Sequence, residues 1–158
     1  MPRTAAALSL AVLALGALGA CSDSPDAPAD GTGYLQVSDL ENPPQTSHFT
    51  GDPSPMTARV DVTSTGCVYV VVDDVERFPF WPTGTTVDQD AEDLDSYVVT
   101  LPGGTTLTTG ESFEGSGVVD DSTEPFDEGK VTSVLDFCAI DESPVAFFDA
   151  TAITPVAD

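Results

Sequence analysis

A chain of 158 residues that sets 27 acids against four Lys and Arg carries a formal charge of −23. That balance excludes nucleic acid and anionic lipid headgroups as electrostatic partners, because both require a basic patch or a basic helix. The acids run along the whole sequence, so their simplest meaning is a solvated acidic surface, suited to high salt where a short Debye length screens self-repulsion.

The N-terminal segment differs from everything after it. Arg3 stands alone before an almost unbroken apolar run of Ala, Leu and Val over residues 5–17. A short positive start followed by an apolar stretch is what a secretory leader needs. The uncharged run to Ala20 falls short of the roughly 18–20 residues that span a bilayer. It ends in Leu18-Gly19-Ala20-Cys21: a branched apolar residue, two small residues and a cysteine. This segment resembles the signal of bacterial lipoproteins. The resemblance implies a lipid thioether on Cys21, cleavage before it, and residence at the outer face of the cell membrane, with the membrane as a partner held through that lipid. Two or three acyl chains exceed what stable anchoring requires, since each buried methylene contributes about 0.8 kcal/mol. Loss of the leader leaves three cations, Arg59, Arg77 and Lys130, against all of the acids.

Residues 1–20 are therefore read as the leader, residues 21–33 as a flexible tether, and residues 34–158 as a single β domain. The tether has no apolar side chain larger than alanine and cannot offset its own ordering entropy. Residues 34–37 suggest a short strand, and the proline-rich stretch 38–55 reads as a long loop. Residues 57–63 alternate, with Ala58, Val60 and Val62 opposite Arg59 and Asp61, the period of a half-buried strand. A turn at residues 64–66 leads to a second strand, 67–72, rich in Val and Tyr. Asp73-Asp74 supplies another turn, and residues 75–81 a third strand ended by Pro82. Residues 83–96 read as a long acidic loop. Residues 97–101 and 105–109 make a hairpin, with Pro102-Gly103 in a type II turn. Glycines around Phe113 suggest a bulged or sharply curved strand. Residues 131–140 and 145–153 close the chain as two strands, although Val131, Val134, Leu135 and Cys138 equally fit one face of a short helix.

About six to eight short strands amount to an all-β domain, either a small closed or partly open barrel or a sandwich. Outside the cytosol the expected state of Cys67 and Cys138 is a disulfide, tying the second strand to a late element. Gly66-Cys67-Val68, then Trp81-Pro82-Thr83-Gly84-Thr85, Val99 to Gly104, Gly110 to Phe113, Gly115-Ser116-Gly117 and finally Cys138 resemble, in that order, small lipoproteins of actinobacteria. That resemblance implies a five- or six-stranded barrel of the oligonucleotide/oligosaccharide-binding type and carries no catalytic residue with it.

The search for chemistry is brief. His48 is the only histidine and is expected to be solvent-exposed in the proline-rich loop. There is no Gly-x-Ser-x-Gly, phosphate loop or dinucleotide fingerprint, and the chain is not expected to be an enzyme or to carry a resident cofactor. Calcium is the one cofactor candidate. Asp88-x-Asp90-x-Glu92, with Asp95 beyond, places oxygen ligands at alternate positions as an EF-hand loop begins. Position six is Asp93 instead of Gly, however, and position twelve is Val99 instead of Glu. For a ligand, Trp81 with Tyr69, Tyr97 and Phe80 beside it forms the candidate aromatic surface, Trp81 being read either as a core plug or as a stacking platform. The expected function is that of a non-enzymatic binding or structural module, with a cell-wall polymer, a cationic protein or a small molecule as its ligand. The alternative is a calcium-dependent binding or sensing module using loop 88–95.

Overall fold

The computed structural model describes residues 36–38, 48–126 and 129–157. Its architecture is all-β with one helix: a curled eight-stranded sheet accompanied by a small three-stranded one.

The first hairpin forms as the sequence pattern dictates. β2 (Ser54–Val62) pairs antiparallel with β3 (Val68–Val72), Val60 opposite Val70. Period-two alternation buries Ala58 and Val60 and turns Arg59 outward. The connecting turn is locked by Gly66 N–H donating to the Thr63 carbonyl at 3.0 Å, with Gly66 at φ +83° where a side chain would be strained. β3 then reverses through Asp73 and Asp74, both at positive φ, into β4 (Val75–Arg77). A two-residue turn with both centres left-handed matches the twist of its strands, and Asp tolerates that conformation better than most residues.

Residues 75–81 do not form one strand. β4 stays on β3, whereas β5 (Pro79–Pro82) crosses to the other side of the sheet, parallel to β1 (Gln36–Ser38) and to β10 (Val145–Phe147). The break falls at Phe78, directly before Pro79, which has no N–H to continue the β3 ladder. The acidic segment 83–96 is likewise not all loop. β6 (Thr86–Gln89) buries Val87 and pairs with β7 (Tyr97–Thr100), which pairs with β8 (Thr106–Thr108). The expected type II turn is present: Gly104 N–H donates to the Leu101 carbonyl at 3.0 Å and Gly103 sits at φ +99°.

β9 (Ser112–Val119) is the spine of the large sheet. It carries β2 along one edge, and β10 and β11 (Thr154–Pro155) in succession along the other. Its glycines let aromatic rings cross it. A Cβ on Gly117 would stand 3.0 Å from the Ala146 carbonyl and 3.1 Å from the Phe147 ring. The undecided segment is a helix: α1 covers Lys130–Cys138 and ends at Ala139 in a left-handed conformation, with its N–H on the Leu135 carbonyl. The expected strand at 145–153 is shortened to β10, followed by a 3₁₀ turn at Ala150–Ala152 whose first N–H groups are capped by Asp149.

Both faces of the curled sheet are covered. On one, Trp81 stacks on Phe147, with Phe113 edge-on to Phe147, among Val60, Val70, Val99 and Leu107. On the other, Phe49, Phe78, Phe80, Val118 and Ala146 pack under Val134 of α1. Burial of such side chains at about 1.5–3 kcal/mol each is the main force holding the layers together. The Cys67–Cys138 disulfide, with Cα atoms 5.8 Å apart, fastens the end of α1 to the start of β3.

Candidate functional site

A groove with a built wall on each side lies among the described residues. The β2–β3 turn supplies Val62, Thr63 and Ser64; the β6–β7 connection supplies Gln89, Leu94 and Asp95; Tyr97 adds its ring from β7. The groove encloses about 540 Å³, within the range that holds a small ligand or a few side chains of a partner. None of the described residues that line it is basic.

Short-range hydrogen bonds fix both walls. In the β2–β3 turn the Thr63 hydroxyl accepts from Cys67 N–H at 3.1 Å and pairs with the Thr65 hydroxyl at 2.8 Å. Across the groove, Asp90 N–H donates to the Ser96 carbonyl and Ser96 N–H to the Asp93 carbonyl, each at 2.9 Å. The Asp90 and Asp93 carboxylates accept from Glu92 and Asp95 N–H, and the Gln89 amide donates to the Leu94 carbonyl. These are the turns that Asp forms when it competes for its own backbone. They leave Leu94 held outward at 68% exposure, the most exposed large hydrophobic side chain among the described residues.

Only one of the four aromatic candidates reaches this groove, Tyr97. Trp81 and Phe80 are completely buried, which corrects their assignment as a ligand-stacking surface. They lie on opposite faces of β5, where each fills one of the two aromatic layers. Tyr69 lies on the opposite side of β3 from Val68 and Val70, partly exposed, with Asp61 across the strand pair. Partial burial raises its phenol above the ordinary range; the Asp61 and Glu76 carboxylates add to the rise, and Arg59 opposes it.

The acidic candidates lie along one segment, residues 88–95. Asp88 is exposed on β6, and Asp90 and Asp95 lie in the connection, where the Asp90 carboxylate is engaged with Glu92 N–H. Among the described residues no three His, Cys, Asp or Glu side chains gather as a metal set. The alternate spacing of Asp88 and Asp90 belongs in part to a strand, so it does not wrap around a point as a calcium loop must.

His48 is the residue that sequence reasoning placed wrongly. It is 3% exposed. Its Nδ1 lies 3.0 Å from Asp120 Oδ2, and its ring stacks on Phe126 with centroids 3.7 Å apart and planes 9° from parallel. Asp120 Oδ1 also accepts from Ser122 N–H at 2.9 Å. The pair joins residue 48, where the described part of the proline-rich stretch resumes, to the end of β9. The neighbouring Phe49, which packs into the layer of Phe80 and Phe148, is the sequence signal that could have exposed it: an aromatic beside a lone histidine in an otherwise polar stretch. Comparison with family models, with curated proteins and with solved structures finds no match to this chain.

Proposed function

We propose that the chain is an exported lipoprotein, held at the outer face of the cell membrane by lipid on Cys21, whose β domain is a non-catalytic binding module. The observation that carries this reading is the arrangement of the three cysteines. Cys67 and Cys138 pair with each other, and the odd one stands directly after an apolar leader and two small residues. A structural disulfide suits a chain that matures outside the reducing cytosol, and the unpaired Cys21 is then the thiol left for acylation.

The binding part of the proposal rests on the groove between the β2–β3 turn and the β6–β7 connection, whose walls are fixed by their own short-range hydrogen bonds. Preformed walls reduce the ordering cost of association. The finer architectural expectation, a barrel of the oligonucleotide/oligosaccharide-binding type, belongs to the same proposal and is supported by the curl of the sheet and its covered inner face.

The test is metabolic labelling with an alkyne-tagged fatty acid in a bacterial host, followed by membrane fractionation. The wild-type chain takes up label and sediments with membranes, whereas Cys21→Ser takes up none and is recovered in the soluble fraction. An unlabelled wild-type chain, or a labelled Cys21→Ser chain, overturns the reading.

A further inference from the structure

We infer that the groove beside Leu94 is a docking site for a cationic protein segment that presents an aliphatic or aromatic anchor residue. The inference rests on the reading of the domain as a binding module and names the partner of that site.

Leu94 is the first observation. An apolar side chain at 68% exposure is ordinary when it stands on a mobile tip. Here it is held outward by a loop whose own hydrogen bonds, from Asp90 to Ser96 and from Gln89 to Leu94, fix its backbone. A partner that covers Leu94 gains apolar burial without paying to order that loop.

Charge selects the partner. Asp95 lines the groove beside Leu94, and Asp88, Glu92 and Asp93 are exposed along the same segment with Asp90 half-buried among them. None of the described residues lining the groove is basic. A second copy of this chain would set the same acids against each other, and the tether, with Asp23, Asp26 and Asp30, is itself anionic. A cationic segment meets the opposite condition: its Lys or Arg pairs with the loop carboxylates, and a guanidinium stacks favourably on the Tyr97 ring. Its apolar residue covers Leu94 and Val62. Rim charges set the rate and orientation of approach, while the covered apolar contact sets the discrimination.

The experiment uses the full chain in detergent micelles and reads fluorescence anisotropy of a short dye-labelled peptide of Arg and Leu. A second peptide of equal charge has Ser in place of Leu. The Leu peptide binds roughly tenfold tighter than the Ser peptide, the ratio expected when one side chain's burial contributes about 1.4 kcal/mol. Leu94→Ser removes that difference, Asp95→Asn weakens both peptides, and the paired change Asp73→Asn with Asp74→Asn on the β3–β4 turn leaves the ratio intact. Equal affinity of the two peptides for the wild-type chain overturns the proposal, as does a ratio that survives Leu94→Ser. Binding of a soluble peptidoglycan fragment in place of the peptides, or a dimer in sedimentation that Leu94→Ser dissolves, assigns the groove to another occupant and equally overturns it. Fatty-acid labelling of Cys21 is read separately, so failure here leaves the anchor untouched.

Discussion

Replacing Asp120 by Ala tests whether the buried pair with His48 holds residues 48–50 against the end of β9. The side chains of His48 and Asp120 are 4% and 7% exposed, so solvent does little to screen their interaction. Removing the carboxylate deletes the 3.0 Å contact to Nδ1 and the 2.9 Å bond from Ser122 N–H, and it leaves a buried imidazole without its acceptor. Leaving a buried hydrogen-bonding group without its partner costs about 1–3 kcal/mol. At roughly 4 °C per kcal/mol for a domain near this size, the melting midpoint should fall by about 4–12 °C. The assay is thermal melting followed by circular dichroism, with Asp121→Ala as the control. Asp121 is exposed and accepts only a 3.4 Å contact from the Thr50 hydroxyl, so the control should move by about 2 °C at most. Because the pair is buried, the difference between the variants should persist in about 0.5 M salt. The double change His48→Phe with Asp120→Leu should recover part of the loss, since it removes both members of the buried pair together and keeps the stack on Phe126, and only the Ser122 N–H bond stays lost. Midpoints of Asp120→Ala and Asp121→Ala that fall together would refute the reasoning.

Three further outcomes follow from the same structure. Cys67→Ser with Cys138→Ser should cost about 4 kcal/mol, from the loop closed over a 71-residue separation; denaturant unfolding of the oxidised and substituted chains measures it. The Tyr69 phenol titrates above 10.0, with burial as the main cause. Its contribution is therefore complete below pH 10 and is lost as pH rises through the raised value, and an alkaline melting series should show Tyr69→Phe flattening that loss. Millimolar calcium should raise the midpoint no more than sodium chloride of equal ionic strength, because Asp88 is exposed on β6 and the Asp90 carboxylate already accepts from Glu92 N–H; a calcium-specific rise in a matched melting pair would contradict this.

What was legible in the sequence was local. Alternation gave the β2 and β3 hairpin, and Pro102-Gly103 gave the separate turn between β7 and β8, because period and φ preference act over a few residues. Strand β6 was hidden because Asp88 and the acids after it resemble loop composition, although only Val87 need face inward. The change of sides between β4 and β5 falls where Glu76-Arg77 gives way to the apolar run Phe78-Pro79-Phe80-Trp81, and within that run only Pro79 marked it. The same run, Phe78-Pro79-Phe80-Trp81, held the correction for Trp81: consecutive apolar residues in a strand signal burial on both faces. The segment now α1 fitted both periods, and only the exposed outer face of the sheet, which needed a cover, decided for the helix. His48 and Asp120 are 72 residues apart, and no local rule joins them. The groove was invisible for a related reason, since its two walls come from turns that only the folded topology brings together.

The central claim, that an acidic β domain is carried on a lipidated Cys21, is tested most directly by intact-mass measurement of the chain purified from the membrane fraction. The account predicts a polypeptide that begins at Cys21 and exceeds the mass of residues 21–158 by a diacylglyceryl group and, where the amine is also acylated, one more acyl chain. A chain that retains residues 1–20, or one with a free Cys21 thiol, would contradict it.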